Sequence, residues 1–113
     1  MLSDEYTDNA IKKINELIQK DVYGAYLLAD LTFFCLEEQY RENKKPLSEG
    51  LLETKVKLDH LGIVWGIKNA QNYLAKQEIR MAKVELYIIM KKYGDRCKLP
   101  KEYCDLLKKL DSL

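Results

Sequence analysis

The chain has 113 residues, 47% apolar and 33% charged, with 19 Lys+Arg against 18 Asp+Glu. That length excludes two full-sized domains and predicts one globular domain over residues 1–113, burying roughly two thirds of the surface its unfolded chain exposes. A net charge of +1 argues against a generic polyanion binder.

The neutrality is an average over two unlike halves. Through Trp65 there are 8 basic and 12 acidic residues, and from Gly66 onward 11 basic and 6 acidic, so the halves carry −4 and +5. Such a division predicts either a charged binding surface or two halves that neutralise each other on folding. Cys35, Cys97 and Cys104 are odd in number and irregular in spacing, which argues against a disulfide framework and predicts a reducing compartment, with the closeness of Cys97 and Cys104 left open. The opening Ser3-Asp4-Glu5 lacks the apolar run of a signal peptide, and no later segment approaches the roughly 20 apolar residues of a membrane span. A cytoplasmic protein with no membrane partner is expected.

Two prolines and five glycines interrupt the chain, and apolar residues follow the helical period almost throughout, which predicts an all-α bundle of about five helices. The first helix is expected over 7–20, with Ile11, Ile14, Leu17 and Ile18 on one side. The second, over 22–42, carries two apolar stripes. Leu27, Leu28, Leu31, Phe34 and Cys35 have the spacing of a core face, while Tyr26, Phe33 and Tyr40 recur every seven residues on another side. Ser48 is the expected N-cap of a short third helix that stops at Leu61-Gly62, with Ile63-Val64-Trp65 as a buried connection.

A long fourth helix is expected over 69–93, again with two seams. Ile79, Ala82, Leu86, Ile89 and Tyr93 are spaced 3-4-3-4, and Leu74, Met81, Val84 and Ile88 form the second series. Pro100 suits the first position of a last helix whose Tyr103, Leu106, Leu107 and Leu110 share one face. A helix with two apolar seams is either central in its fold or faces a second molecule.

Catalytic constellations are scarce. His60, the single histidine, is expected to close the third helix beside Asp59, and no nucleophile has a sequence context that pairs with it. Cys97-x6-Cys104 matches no zinc spacing, so no metal or other cofactor is expected. Asp4-Glu5 and Glu37-Glu38 are adjacent helical residues pointing about 100° apart, unsuited to acid/base pairing. No glycine-rich phosphate loop is present. The expectation is a protein that is not an enzyme.

On the fourth expected helix, Asn72, Lys76, Arg80, Lys83, Tyr87 and Lys91 fall within a sector of roughly 100°. Lys76, Arg80 and Lys83 repel one another by a few tenths of a kcal/mol per pair, a cost that an anionic partner offsets. That anion is nucleic-acid phosphate, protein carboxylate, or the acidic residues Asp30, Glu37 and Glu38 of this same chain.

The stretches Lys45-Pro46-Leu47-Ser48-Glu49 and Leu58-Asp59-His60-Leu61-Gly62-Ile63-Val64-Trp65 resemble the helicase-associated domain family, in which a "KLS" helix start leads to an "LxxLGF/I-x-W" close. Tyr93-Gly94-Asp95-Arg96-Cys97-Lys98-Leu99-Pro100 is similar to that family's "hGxxxVP" turn. The resemblance implies a small all-α, non-catalytic accessory module that binds nucleic acid. From the residues themselves, the first expectation is a partner protein bound through Tyr26, Phe33 and Tyr40 in one patch and Asn72, Lys76, Arg80, Lys83, Tyr87 and Lys91 in the other. Nucleic acid is the alternative partner, and a second copy of the chain, making a homodimer, is the third.

Overall fold

The computed structural model describes residues 3–113, which form five helices and no strand. The all-α class is as the periodicity predicts. The helices are α1 (Asp4–Gln19), α2 (Tyr23–Glu42), α3 (Glu49–Ala75), α4 (Ile79–Tyr93) and α5 (Lys101–Asp111). They divide into two compact units, Met1–Leu58 and Asp59–Leu113, with α3 contributing its first part to one and its remainder to the other.

In the first unit, α1 starts a turn earlier than expected because Ser3 caps it, its side chain accepting from the Tyr6 amide at 3.1 Å, with Asp4 and Glu5 in the dipole-favoured first turn. Thr7, Ile14 and Leu17 are buried on one face of α1, which packs on α2. The inward face of α2 is Tyr26, Ala29, Phe33, Leu36 and Tyr40, a 3-4-3-4 series. From α3 come Leu51, Thr54 and Leu58, and Lys55 donates to Glu37 at 2.8 Å. Ser48 is the N-cap of α3 as expected, its hydroxyl accepting from the Leu51 amide at 3.3 Å.

The second unit is built on Ile63, Ile67 and Ala70 of α3, Ala82, Leu86, Ile89 and Tyr93 of α4, and Tyr103, Leu106 and Leu110 of α5. Gly66 lets α3 and α4 approach closely: a Cβ placed there would lie 2.7 Å from Ile89 Cδ1. The Tyr103 hydroxyl donates to the Leu86 carbonyl at 3.4 Å. Arg96 holds Asp59 at 3.0 Å, tying the segment after α4 to α3.

Two expected helix ends are corrected. Gly62 does not stop α3, which runs 27 residues through it and through Trp65. No glycine has a positive φ, so Gly62 is an ordinary helical residue, and its expected left-handed cap is absent. The break falls instead inside the expected fourth helix, at Gln77, with φ of 62°. There the Glu78 amide donates to the Tyr73 carbonyl at 2.8 Å and the Gln77 amide to that of Leu74 at 2.9 Å. This pair of bonds is a Schellman closure with glutamine where glycine is usual. Lys44, with φ of 52°, closes α2 the same way, the Lys45 amide reaching the Tyr40 carbonyl at 2.9 Å. Pro100 is the N-cap of α5 and not its first residue.

Candidate functional site

The two stripes of α2 are reversed relative to expectation. Tyr26, Phe33 and Tyr40 are 3–6% exposed and belong to the core of the first unit, so they offer no surface to a partner. The physical reason is that Ala29 and Leu36 complete their seven-residue series into a continuous 3-4-3-4 seam, all five residues of which are buried. The tyrosine hydroxyls are accommodated. Thr7 Oγ1 and Tyr40 OH are 2.7 Å apart, Tyr23 stacks on Tyr26 at 6.2 Å between ring centroids, and Lys45 Nζ lies 5.6 Å from the Tyr40 ring centroid.

What was expected to be core is therefore outside. Leu27, Leu28, Leu31 and Phe34 are 47–58% exposed, with Val22, Tyr23 and Cys35 exposed beside them. Leu27, Leu31 and Phe34 stand at i, i+4 and i+7, and Leu28, Leu31 and Cys35 at i, i+3 and i+7, so their side chains adjoin on one side of the helix. Thr32 folds its hydroxyl back onto the Leu28 carbonyl at 2.7 Å, which takes a polar group out of that neighbourhood. The periodicity separates the two stripes correctly, but the one expected to face a partner is buried and the one expected to be core is exposed. The local signal for the inward face is Ala29 between Tyr26 and Phe33, which with Leu36 makes their series continuous.

On α4 the seam Ala82, Leu86, Ile89 and Tyr93 is buried as expected, with Ile79 half-buried at its start. The second series is not internal. Met81, Val84 and Ile88 are exposed, as are Tyr87 and Met90, whereas Leu74 lies on α3 and packs against the core of the second unit. Burial pushes the Glu85 carboxyl above its ordinary range, at the edge between the two faces.

The expected basic stripe is divided by the turn at Gln77. Asn72 sits on the last part of α3 and Lys76 in the turn, while Arg80, Lys83, Tyr87 and Lys91 remain together on the outer side of α4. All six are exposed. Lys91 Nζ is 5.7 Å from the Tyr87 ring centroid. Among the described residues Lys76, Arg80 and Lys83 are in no ion pair, and two of the three carboxylates expected to neutralise them are engaged elsewhere, Glu37 with Lys55 and Glu38 with Arg41.

His60 lies exposed in the middle of α3 and caps nothing, because the helix continues past it. The three cysteines are free thiols, and Cys97 Sγ is 3.9 Å from Asp59 Oδ2. Among the described residues no group of three or more His, Cys, Asp or Glu is placed to hold a metal ion, and no helix is long and apolar enough to cross a membrane. The fold and its surfaces define an all-α chain with two outward apolar helix faces, one in each unit. No family model, no curated protein and no solved structure matches the chain.

Proposed function

We propose that this chain is a non-enzymatic helical binding protein of the cytoplasm, which works by docking on a partner protein through the outward face of α2. The supporting observation is the strip Leu27, Leu28, Leu31 and Phe34, each about half exposed beside Val22 and Tyr23. Single exposed leucines are ordinary on protein surfaces, but a contiguous strip of large apolar side chains marks an interaction site. Covering the exposed halves of those four side chains contributes roughly 3–6 kcal/mol before the cost of association.

Cys35 lies on the same face and gives the test. With Cys97 and Cys104 replaced by serine, a photoreactive maleimide on Cys35 should yield a discrete protein adduct in extract of the native cells. Leu31→Glu with Phe34→Glu should abolish that adduct while leaving the helical circular dichroism spectrum unchanged. An adduct indifferent to those charges would overturn the proposal.

A nucleic-acid-binding role, of the kind the helicase-associated resemblance implies, is the second reading. It is favoured by Lys76, Arg80 and Lys83 having no ion-pair partner among the described residues. Its mark would be binding to DNA or RNA that weakens steeply with salt and is lost on Lys76→Glu with Arg80→Glu. A homodimer built on the same faces is distinguished by sedimentation, which would show mass rising with concentration.

A further inference from the structure

The second unit contains a cleft of about 550 Å³ that none of the surfaces above uses. One wall is a single stripe of α3: His60, Ile63, Val64, Ile67, Lys68 and Gln71. From His60 to Gln71 that stripe extends about 16 Å at 1.5 Å per residue, so the cleft is elongated. The facing wall is Lys98 and Pro100, from the segment between α4 and α5, and Glu102 in the first turn of α5.

The lining separates by chemistry. Ile63 and Ile67 are buried and Val64 half-buried, making an apolar floor, while His60, Lys68, Gln71, Lys98 and Glu102 are exposed at the rim. Neither lysine is in an ion pair among the described residues. Lys68 and Lys98 against Glu102 leave one net positive charge among the lysines and the carboxylate of the rim. Lys68 is also positioned, its Nζ standing 4.6 Å from the centroid of the Trp65 ring. An apolar floor, a few convergent polar groups and a volume within the usual 300–1,000 Å³ are the features of small-molecule sites.

We infer that this cleft binds an elongated, apolar organic molecule bearing a single carboxylate, with its chain on Ile63, Val64 and Ile67 and its charge held at the rim by Lys68 and Lys98 together. A neutral molecule of the same shape leaves the net charge unanswered. A dianion meets Glu102 with its second charge.

Octanoate is the probe, titrated into the full chain by calorimetry and followed in parallel by the emission of Trp65, the chain's one tryptophan. Saturable one-to-one binding is expected, with a shift in tryptophan emission as the carboxylate alters the cation over the ring. Lys98→Glu, an exposed substitution outside the helices, should weaken octanoate binding by tenfold or more while 1-octanol binds both proteins equally and more weakly. Val64→Asp, which places a charge on the floor, should abolish binding of both probes. The inference is overturned if octanoate does not saturate at millimolar concentration in protein with a normal unfolding transition. It is equally overturned if Lys98→Glu leaves octanoate affinity unchanged, or if octanol binds as tightly as octanoate.

Discussion

Thr7 and Tyr40, 33 positions apart in the chain, join their hydroxyls at 2.7 Å in the buried interior of the first unit. The bond links α1 to the far end of α2 and allows a seam containing two tyrosines to be internal. Tyr40→Phe should lower stability by about 1–3 kcal/mol, because the Thr7 hydroxyl is left buried without that partner. Adding Thr7→Val should recover part of the loss. Urea denaturation of the two single variants and the double variant measures both, and the Lys45 contact with the ring persists as an internal control.

The reversal of the α2 faces makes opposite predictions for neighbouring residues. Phe33→Ala should cost about 3–5 kcal/mol as a core truncation. Leu31→Glu, at a position 58% exposed, should change stability by about 0.5 kcal/mol or less. Thermal unfolding of the two variants separates them, and the opposite order would restore Leu31 to the core.

The fold class was legible because helical spacing of apolar residues runs through the chain, and the inward seams of α4 and α5 were legible too, with Ile79 and Leu107 half-buried at their edges. The faces of α2 were not, since both of its stripes are apolar and periodicity alone does not rank them. Ala29 and the Thr7–Tyr40 pairing decide the matter, and the second is a contact that no local pattern reveals. The helix ends misled for a related reason. Residue type points to a stop at Gly62, where α3 continues, while the true reversal is made by Gln77, whose left-handed backbone leaves no mark in residue type. That one displacement also divides the basic stripe, because Asn72 lies on α3 and Lys76 in the turn, not on α4.

Gln77 itself is open to improvement. Its φ of 62° is a conformation that costs an L-residue roughly 1–2 kcal/mol and glycine little. Gln77→Gly should therefore stabilise the protein by about 1 kcal/mol, after the added flexibility of the unfolded chain is subtracted. A rise of several degrees in Tm, with unchanged helical content, is the expected result.

Two helical glycines should respond to alanine in opposite directions. Gly24, on α2, has nothing within 4 Å of an added Cβ, so Gly24→Ala should gain about 0.5–1 kcal/mol from helix propensity. Gly66→Ala drives its Cβ into the buried Ile89 side chain, at 2.7 Å from Cδ1 and 2.8 Å from Cγ1, and should lose about 1–3 kcal/mol. Trimming Ile89 to alanine in the Gly66→Ala background should relieve the clash at the cost of a smaller core. Guanidinium unfolding of the set gives the signs directly.

The inward seams are narrow. Five positions of α2 and four of α4 hold their respective cores, leaving most of each helix's circumference outside. Residues that determine folding and residues that determine what the chain touches are thus almost disjoint sets on the same two helices. Such a division lets the outer positions drift or be selected toward a new partner without passing through unfolded intermediates, and makes the chain a ready scaffold for grafting recognition surfaces onto α2 and α4 while Ala29, Leu36, Ala82 and Leu86 are held fixed.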